Sequence, residues 1–195
     1  MLRGHLGRLM TGVTAFETGN AAATLLILRA TGLLGPGRSQ AAATQLALVL
    51  YVLYNIAATV ISIPAGRHGD KSSPLRVLAA GAICFAAGYG VFAAGPRQPW
   101  LLAAGFILAG LGIGCGETAS SAAVAALAPA TLRGSAFGLL ATAQAGANFI
   151  ASAVAGILWT AVSPAAAFLF LTAAMIISVP LILASRRSHA SAPGR

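Results

Sequence analysis

Acidic side chains are nearly missing from this sequence: Glu17, Asp70 and Glu117 are the only three in 195 residues. With 12 Lys and Arg the charged share is 8%, against about 25% in ordinary soluble domains. So little charge cannot clothe a chain of this size in a wetted surface, which excludes a soluble globular domain. The 58% hydrophobic content excludes a disordered chain. Cysteine is scarce too: Cys84 and Cys115 lie far apart inside apolar runs, which excludes a disulfide scaffold. His5, His68 and His189 stand singly, so there is no Cys/His cluster for a metal and no paired carboxylates for hydrolysis. No Gly-Lys-Ser/Thr phosphate loop is present, so direct ATP use is not supported. No cofactor and no enzyme chemistry are expected. The basic residues are not interleaved with aromatics, and nucleic acid is not an expected partner.

What the chain does have is long apolar runs. Between Arg38 and Arg67, between Arg76 and Arg97, and from Gly134 to Ser185 no Lys, Arg, Asp or Glu occurs. A helix needs about 20 such residues to cross a bilayer, whereas barrel strands show short alternating stretches. The fold class expected is therefore all-α: a polytopic membrane protein with six transmembrane helices in one domain. They are placed at about 9–33, 41–65, 75–94, 99–127, 135–161 and 165–185. The breaks GLLGPGRSQ, GRHGDKSSPLR, AAGPRQP, APATLRG and VSPA carry the Gly, Pro and Ser residues of turns.

Six spans put both termini on one side. Arg3, Arg8, Arg67, Lys71, Arg76, Arg133, Arg186, Arg187 and Arg195 fall there, and Arg29, Arg38 and Arg97 on the other, nine against three. The positive-inside rule places the nine in the cytoplasm, so the expectation is a multi-pass protein of the cell's inner membrane with cytoplasmic termini. Arg3 and Arg8 precede an apolar stretch as in a signal peptide. Glu17 and Asn20 interrupt that stretch and no cleavage pattern follows, so a retained first helix is expected.

Polar groups within predicted spans are few and can be taken singly. Glu17, Asn20, Asn55, Glu117, Gln144 and Asn148 are the candidate intramembrane sites, because a carboxylate or amide in hydrocarbon must face protein, water or headgroups. Glu117, beside Thr118, Ser120 and Ser121, is the best placed to line a wet cavity; Glu17 and Asn20 also fit a purely structural hydrogen-bond network. Arg29 is expected to snorkel to the interface. Gly105, Gly110, Gly112, Gly114 and Gly116 in the fourth helix, and Gly138, Gly146 and Gly156 in the fifth, fit close helix packing or a surface on which helices rock. Asp70 lies in a short basic segment and can cap a neighbouring helix N-terminus, as a static staple or as part of a gate.

Three stretches resemble the Major Facilitator Superfamily. GRHGDK, Gly66 to Lys71, resembles its loop motif G-x-x-x-D-[RK], and YVLYNIAATVISIPAG its preceding helix. ETASSAAVAALAPATLRGSAFGLLATAQAGANFIASAVAGILW is similar to its tenth-to-eleventh helix region, with Pro129, Arg133, Gly134, Ala136 and Gly138 on the pattern. ETGNAAATLLILRA resembles the start of its seventh helix. Ser73, Pro74 and Leu75 depart from the loop motif, leaving Arg76 as the sole following base. Ala21, Ala22 and Ala23 stand where polar residues and an acid are common. The resemblance is to the carboxy-terminal, six-helix half of such a transporter. It implies secondary transport of a small solute by alternating access, with Gly66, Asp70, Lys71, Arg76, Arg133 and Gly134 as a cytoplasmic gating loop. The partners it implies are the bilayer, a small-molecule solute, a coupling proton or ion, and either a second copy of the chain or a missing amino-terminal half. The competing expectation is a noncatalytic membrane subunit, or truncated permease fragment, with an interaction role.

Overall fold

The computed structural model describes residues 11–128 and 130–190, with the side chains of 127, 130 and 185–190 left aside. The expected start of the first helix at residue 9, Pro129, and the side chains of Arg3, Arg8, Arg186, Arg187 and Arg195 therefore lie outside what is described. The described chain is helical throughout: α1 (helical over 11–17), α2 (Ala23–Leu34), α3 (Gln40–Lys71), α4 (Pro74–Ala94), α5 (Pro99–Leu127), α6 (Arg133–Ala161) and α7 (Pro164–Ala190), with a single 3-10 turn at Ala130–Leu132. Five of these, α3 to α7, are long and apolar enough to cross a membrane.

The helix starts follow from local chemistry. Pro74 and Pro99 open their helices at the first turn, where a missing N–H costs nothing, and Pro164 is likewise the first residue of α7. Ser39 caps α3 by accepting from the Ala42 N–H at 3.2 Å. Gly95 ends α4 in the left-handed conformation, φ 68°.

α7 runs past the expected end at 185 to Ala190, and two further boundaries differ from expectation. The single helix expected over 9–33 is in two pieces, α1 and α2, parted at residues 18–22. Gly19 and Asn20 are poor helix formers, and their N–H groups close short turns onto Phe16 and Glu17 carbonyls instead of continuing the helical ladder. At the second, α3 does not end at 65 but runs through Pro64 to Lys71, so Gly66 to Lys71 forms its last turns and not a loop. A proline inside a membrane helix forfeits one backbone bond without ending the helix when its neighbours hold the rest. The link to α4 is only Ser72 and Ser73.

The core is α3, α4, α5 and α7, with α1 wedged among α4, α5 and α7 and α2 laid along α3. A string of aromatic rings ties these elements together. Phe16 meets Phe85 edge-on at 5.8 Å, Phe85 stacks on Tyr89 at 5.1 Å, and Phe92 stacks on Phe168 at 5.4 Å while meeting Phe106 edge-on at 5.2 Å. Each pair adds roughly 0.5–1.5 kcal/mol beyond simple burial. Backbones of α4 and α5 approach closely: a Cβ on Gly81 would stand 2.9 Å from the Gly112 carbonyl, and one on Gly88 2.9 Å from that of Gly105. Arg29 does not simply extend outward. Its Nε donates to the Phe92 carbonyl at 3.1 Å, where α4 is ending. On the outside, Val49, Val52, Ile56, Val60 and Ile63 make an exposed apolar stripe down α3.

Candidate functional site

The break between α1 and α2 leaves backbone groups without helical partners, and α6 supplies them. Asn148 Nδ2 donates to the Asn20 carbonyl at 2.6 Å, and the Ala22 N–H donates to Ser152 Oγ at 2.9 Å. Gln144 Nε2 donates to Glu17 Oε1 at 3.0 Å, and Asn20 Nδ2 to Glu17 Oε2 at 2.8 Å. Gln144, Asn148 and Ser152 are spaced four residues apart, so one face of α6 presents all three to the break. Glu17 is only 3% exposed, yet each of its oxygens has an amide donor. A buried carboxylate is tolerable when its oxygens are bonded in this way.

These groups form one wall of an open cleft of about 650 Å³. Glu17, Asn20 and Ala22 come from the break; Gln144, Ala145, Asn148, Phe149 and Ser152 from α6; and Ile113, Glu117 and Ser121, again four residues apart, from α5. The two acids expected within the membrane thus face one cavity. They differ in circumstance: Glu117 is exposed to the cleft and makes no hydrogen bond or ion pair among the described residues, whereas Glu17 is fully engaged.

Of the polar neighbours of Glu117, only Ser121 lines the cleft. Ser120 turns into the core, 1% exposed, and its hydroxyl has no hydrogen-bond partner among the described residues. Thr118 faces α3, its Cγ2 at 3.6 Å from where a Cβ on Gly66 would stand. Asn55 is not part of the cleft. It lies exposed on α3 and donates to the Tyr51 carbonyl of its own helix at 2.9 Å. Ser152 and Phe149 are site residues that inspection of the sequence missed. The signal for Ser152 was present in the four-residue spacing that continues from Gln144 and Asn148; Phe149 carried none.

The other group of predicted residues sits away from the cleft, at the α3–α4 turn and the start of α6. Asp70, Lys71, Arg76, Arg133 and Gly134 are exposed, and the charged ones make no ion pair among the described residues. Gly69 packs the end of α3 onto α4, 3.8 Å from Val77 Cγ2 for an added Cβ, so this corner is held by apolar contact. Among the described residues no group of three or more His, Cys, Asp or Glu is placed to hold a metal ion.

A comparison with curated proteins finds no match. Residues 9–195 match the family profile described as the Major Facilitator Superfamily, and the chain belongs to that family. It is accordingly a multi-pass membrane transporter of the secondary type, a permease for a small solute and not an enzyme.

Proposed function

We propose that this chain works as one six-helix half of an alternating-access carrier, with α1 and α2 acting in tandem as the sixth span. The observation that carries this reading is the broken first span, whose freed backbone and single carboxylate are bonded by α6 around a polar cleft. In a bilayer, irregular backbone is tolerated only where protein or water satisfies it, and discontinuous helices of this kind line solute sites in transporters.

The cleft is this half's share of the solute path. A second copy of the chain, or an amino-terminal half, supplies the facing wall. Glu117 meets the solute or a coupling proton, and Glu17 holds the break and α6 together. α6 packs chiefly on α7 and only lightly on α5, which suits it to shift against the core as the path opens. Gly66, Asp70, Lys71, Arg76, Arg133 and Gly134 act as the cytoplasmic gate: the exposed charges at the end of α3 and the start of α6 meet in one state and part in the other. Driving force comes from an ion gradient or from the solute's own. Both termini face the cytoplasm of the inner membrane, as the distribution of positive charge favours.

Proteoliposome counterflow with the purified chain tests this. Saturable flux that falls at least about tenfold in Asp70→Asn is expected if the gate charge decides the state balance, a shift of about 1.4 kcal/mol. Absence of saturable flux, in the chain alone and as its homodimer, sinks the claim that this half functions with its own copy. Orientation is checked separately by labelling single cysteines at positions 76 and 97 in a background lacking Cys84 and Cys115; impermeant reagent added to intact cells should reach only position 97.

A further inference from the structure

The charge of the cleft is opposite to that of the chain. The protein carries 12 Lys and Arg against 3 acids, yet two of those acids line this one cavity and, among the described residues, no Lys, Arg or His does. The polar groups beside them are neutral amides and hydroxyls. An anionic solute would find no cationic side chain among the described residues here, and would face two carboxylates.

The two acids have different tasks. Both oxygens of Glu17 are taken by Asn20 and Gln144, so it is held in place as part of the wall. Glu117 has no hydrogen-bond or ion-pair partner among the described residues and is exposed to the cleft. An ionised carboxylate is an acceptor only, and its natural complement is a cationic donor. Beside it the cleft offers apolar surface. Phe149 is 74% exposed, and Ile113 lies one turn before Glu117 on the same face of α5. An exposed aromatic face attracts a cation as well as an apolar body.

Granted that the cleft is part of the solute path, we propose that its solute is an organic cation, a protonated amine on an apolar body. The ammonium pairs with the Glu117 carboxylate, and the body rests against Phe149 and Ile113. Neutral polyols lack the charge that Glu117 would complement, and organic acids are repelled by it.

The test uses three probes that share one body and differ in charge: phenethylamine, phenethyl alcohol and phenylacetate. Each is titrated calorimetrically into the full chain in lipid nanodiscs. Phenethylamine is expected to bind at least tenfold more tightly than the alcohol, with phenylacetate weakest. Glu117→Gln, a change of similar shape at an exposed position, should erase the preference of amine over alcohol. Phe149→Ala should weaken the amine several-fold, and Asn55→Ala, outside the cleft, should leave all three unchanged. Equal binding of the three, preference for phenylacetate, no binding of the amine, or an amine preference that survives Glu117→Gln would each overturn the proposal. Counterflow of the same probes separates it from the carrier reading. Amine binding without flux counts against transport by this half alone, whereas flux of the alcohol or acid without amine binding counts only against the cation.

Discussion

α5 and α6 are both 29 residues long and both rich in glycine, yet they sit in the molecule in opposite ways. On α5 the glycines are contact points. Gly110 lies against the Tyr54 carbonyl of α3, Gly112 against Phe85 of α4, and Gly116 against Phe16 of α1. On α6 the glycines are not contact points with other helices: an added Cβ at Gly134, Gly138, Gly146 or Gly156 would meet no atom of another element within 4 Å. α6 buries only Leu140, Ala147, Ala151 and Ala155, and what holds it to the first span is a set of side-chain hydrogen bonds. The contrast teaches that one residue type serves two purposes here. Glycine on α5 lets backbones close up into a scaffold. Glycine on α6 leaves a slim helix whose attachment to the first span is polar and therefore exchangeable with water or solute.

The largest expected effect breaks the comparison at its centre. Gly112→Ala puts a methyl 2.5 Å from Phe85 Cδ2 and 3.0 Å from the Gly81 carbonyl, so α4 and α5 must part. Overpacking of this kind costs about 1–3 kcal/mol. Gly156→Ala on α6 meets open space and should instead stabilise by up to about 1 kcal/mol through helix propensity. Thermal unfolding in detergent reads both; shifts of the same sign and size would show that the two helices are packed alike.

Next come the two acids, which divide structure from function within one cleft. Glu17→Ala strands the amide donors of Asn20 and Gln144 and should cost about 1–3 kcal/mol for each left unbonded. Glu117→Ala strands nothing among the described residues and should change stability by less than about 0.5 kcal/mol while abolishing counterflow. An unfolding midpoint lowered equally by both substitutions would remove the distinction between a wall residue and a solute contact.

Much of this division was legible in the sequence, and the part that was not has a physical reason. The long helices were readable because lipid imposes a length and an apolar composition, and because proline sets helix starts: the ends at Ala94 and Ala161 and the start at Pro99 fall where the breaks put them. The division of the first span was not readable, since Gly19 and Asn20 weaken a helix without having to end it, and the bonds from α6 that support the interruption arise only in the fold. The continuation of α3 past Pro64 was hidden for a similar reason: the packing of Gly66 and Gly69 on α5 and α4 supports turns that local sequence signals would end. Glu17, Asn20, Glu117, Gln144 and Asn148 were identified as polar groups in the membrane, and the fold brings them together. Asn55 belonged to the same class by residue type alone; which face of α3 it occupies is a property of packing.

Asn55 and Asn148 give the smallest expected effect and the finest check on the comparison. Both are asparagines within long apolar helices, and each donates one hydrogen bond to a backbone carbonyl. Asn148 reaches across from α6 to a carbonyl that the broken helix has left without a helical partner. Removing it in Asn148→Ala unpairs that oxygen and loosens α6, at a cost of about 0.6–1.7 kcal/mol for an interhelical bond in a membrane. Asn55 bonds to the carbonyl one turn before it on α3, an oxygen that the helical ladder already engages, so Asn55→Ala gives up little and adds a better helix former. Its stability should change by less than about 0.5 kcal/mol. Hydrogen exchange at the Asn20–Ala22 backbone would speed up in the first variant and not in the second. Matched exchange in both would mean that α6 does not hold the break, and that the polar attachment distinguishing it from α5 lies elsewhere.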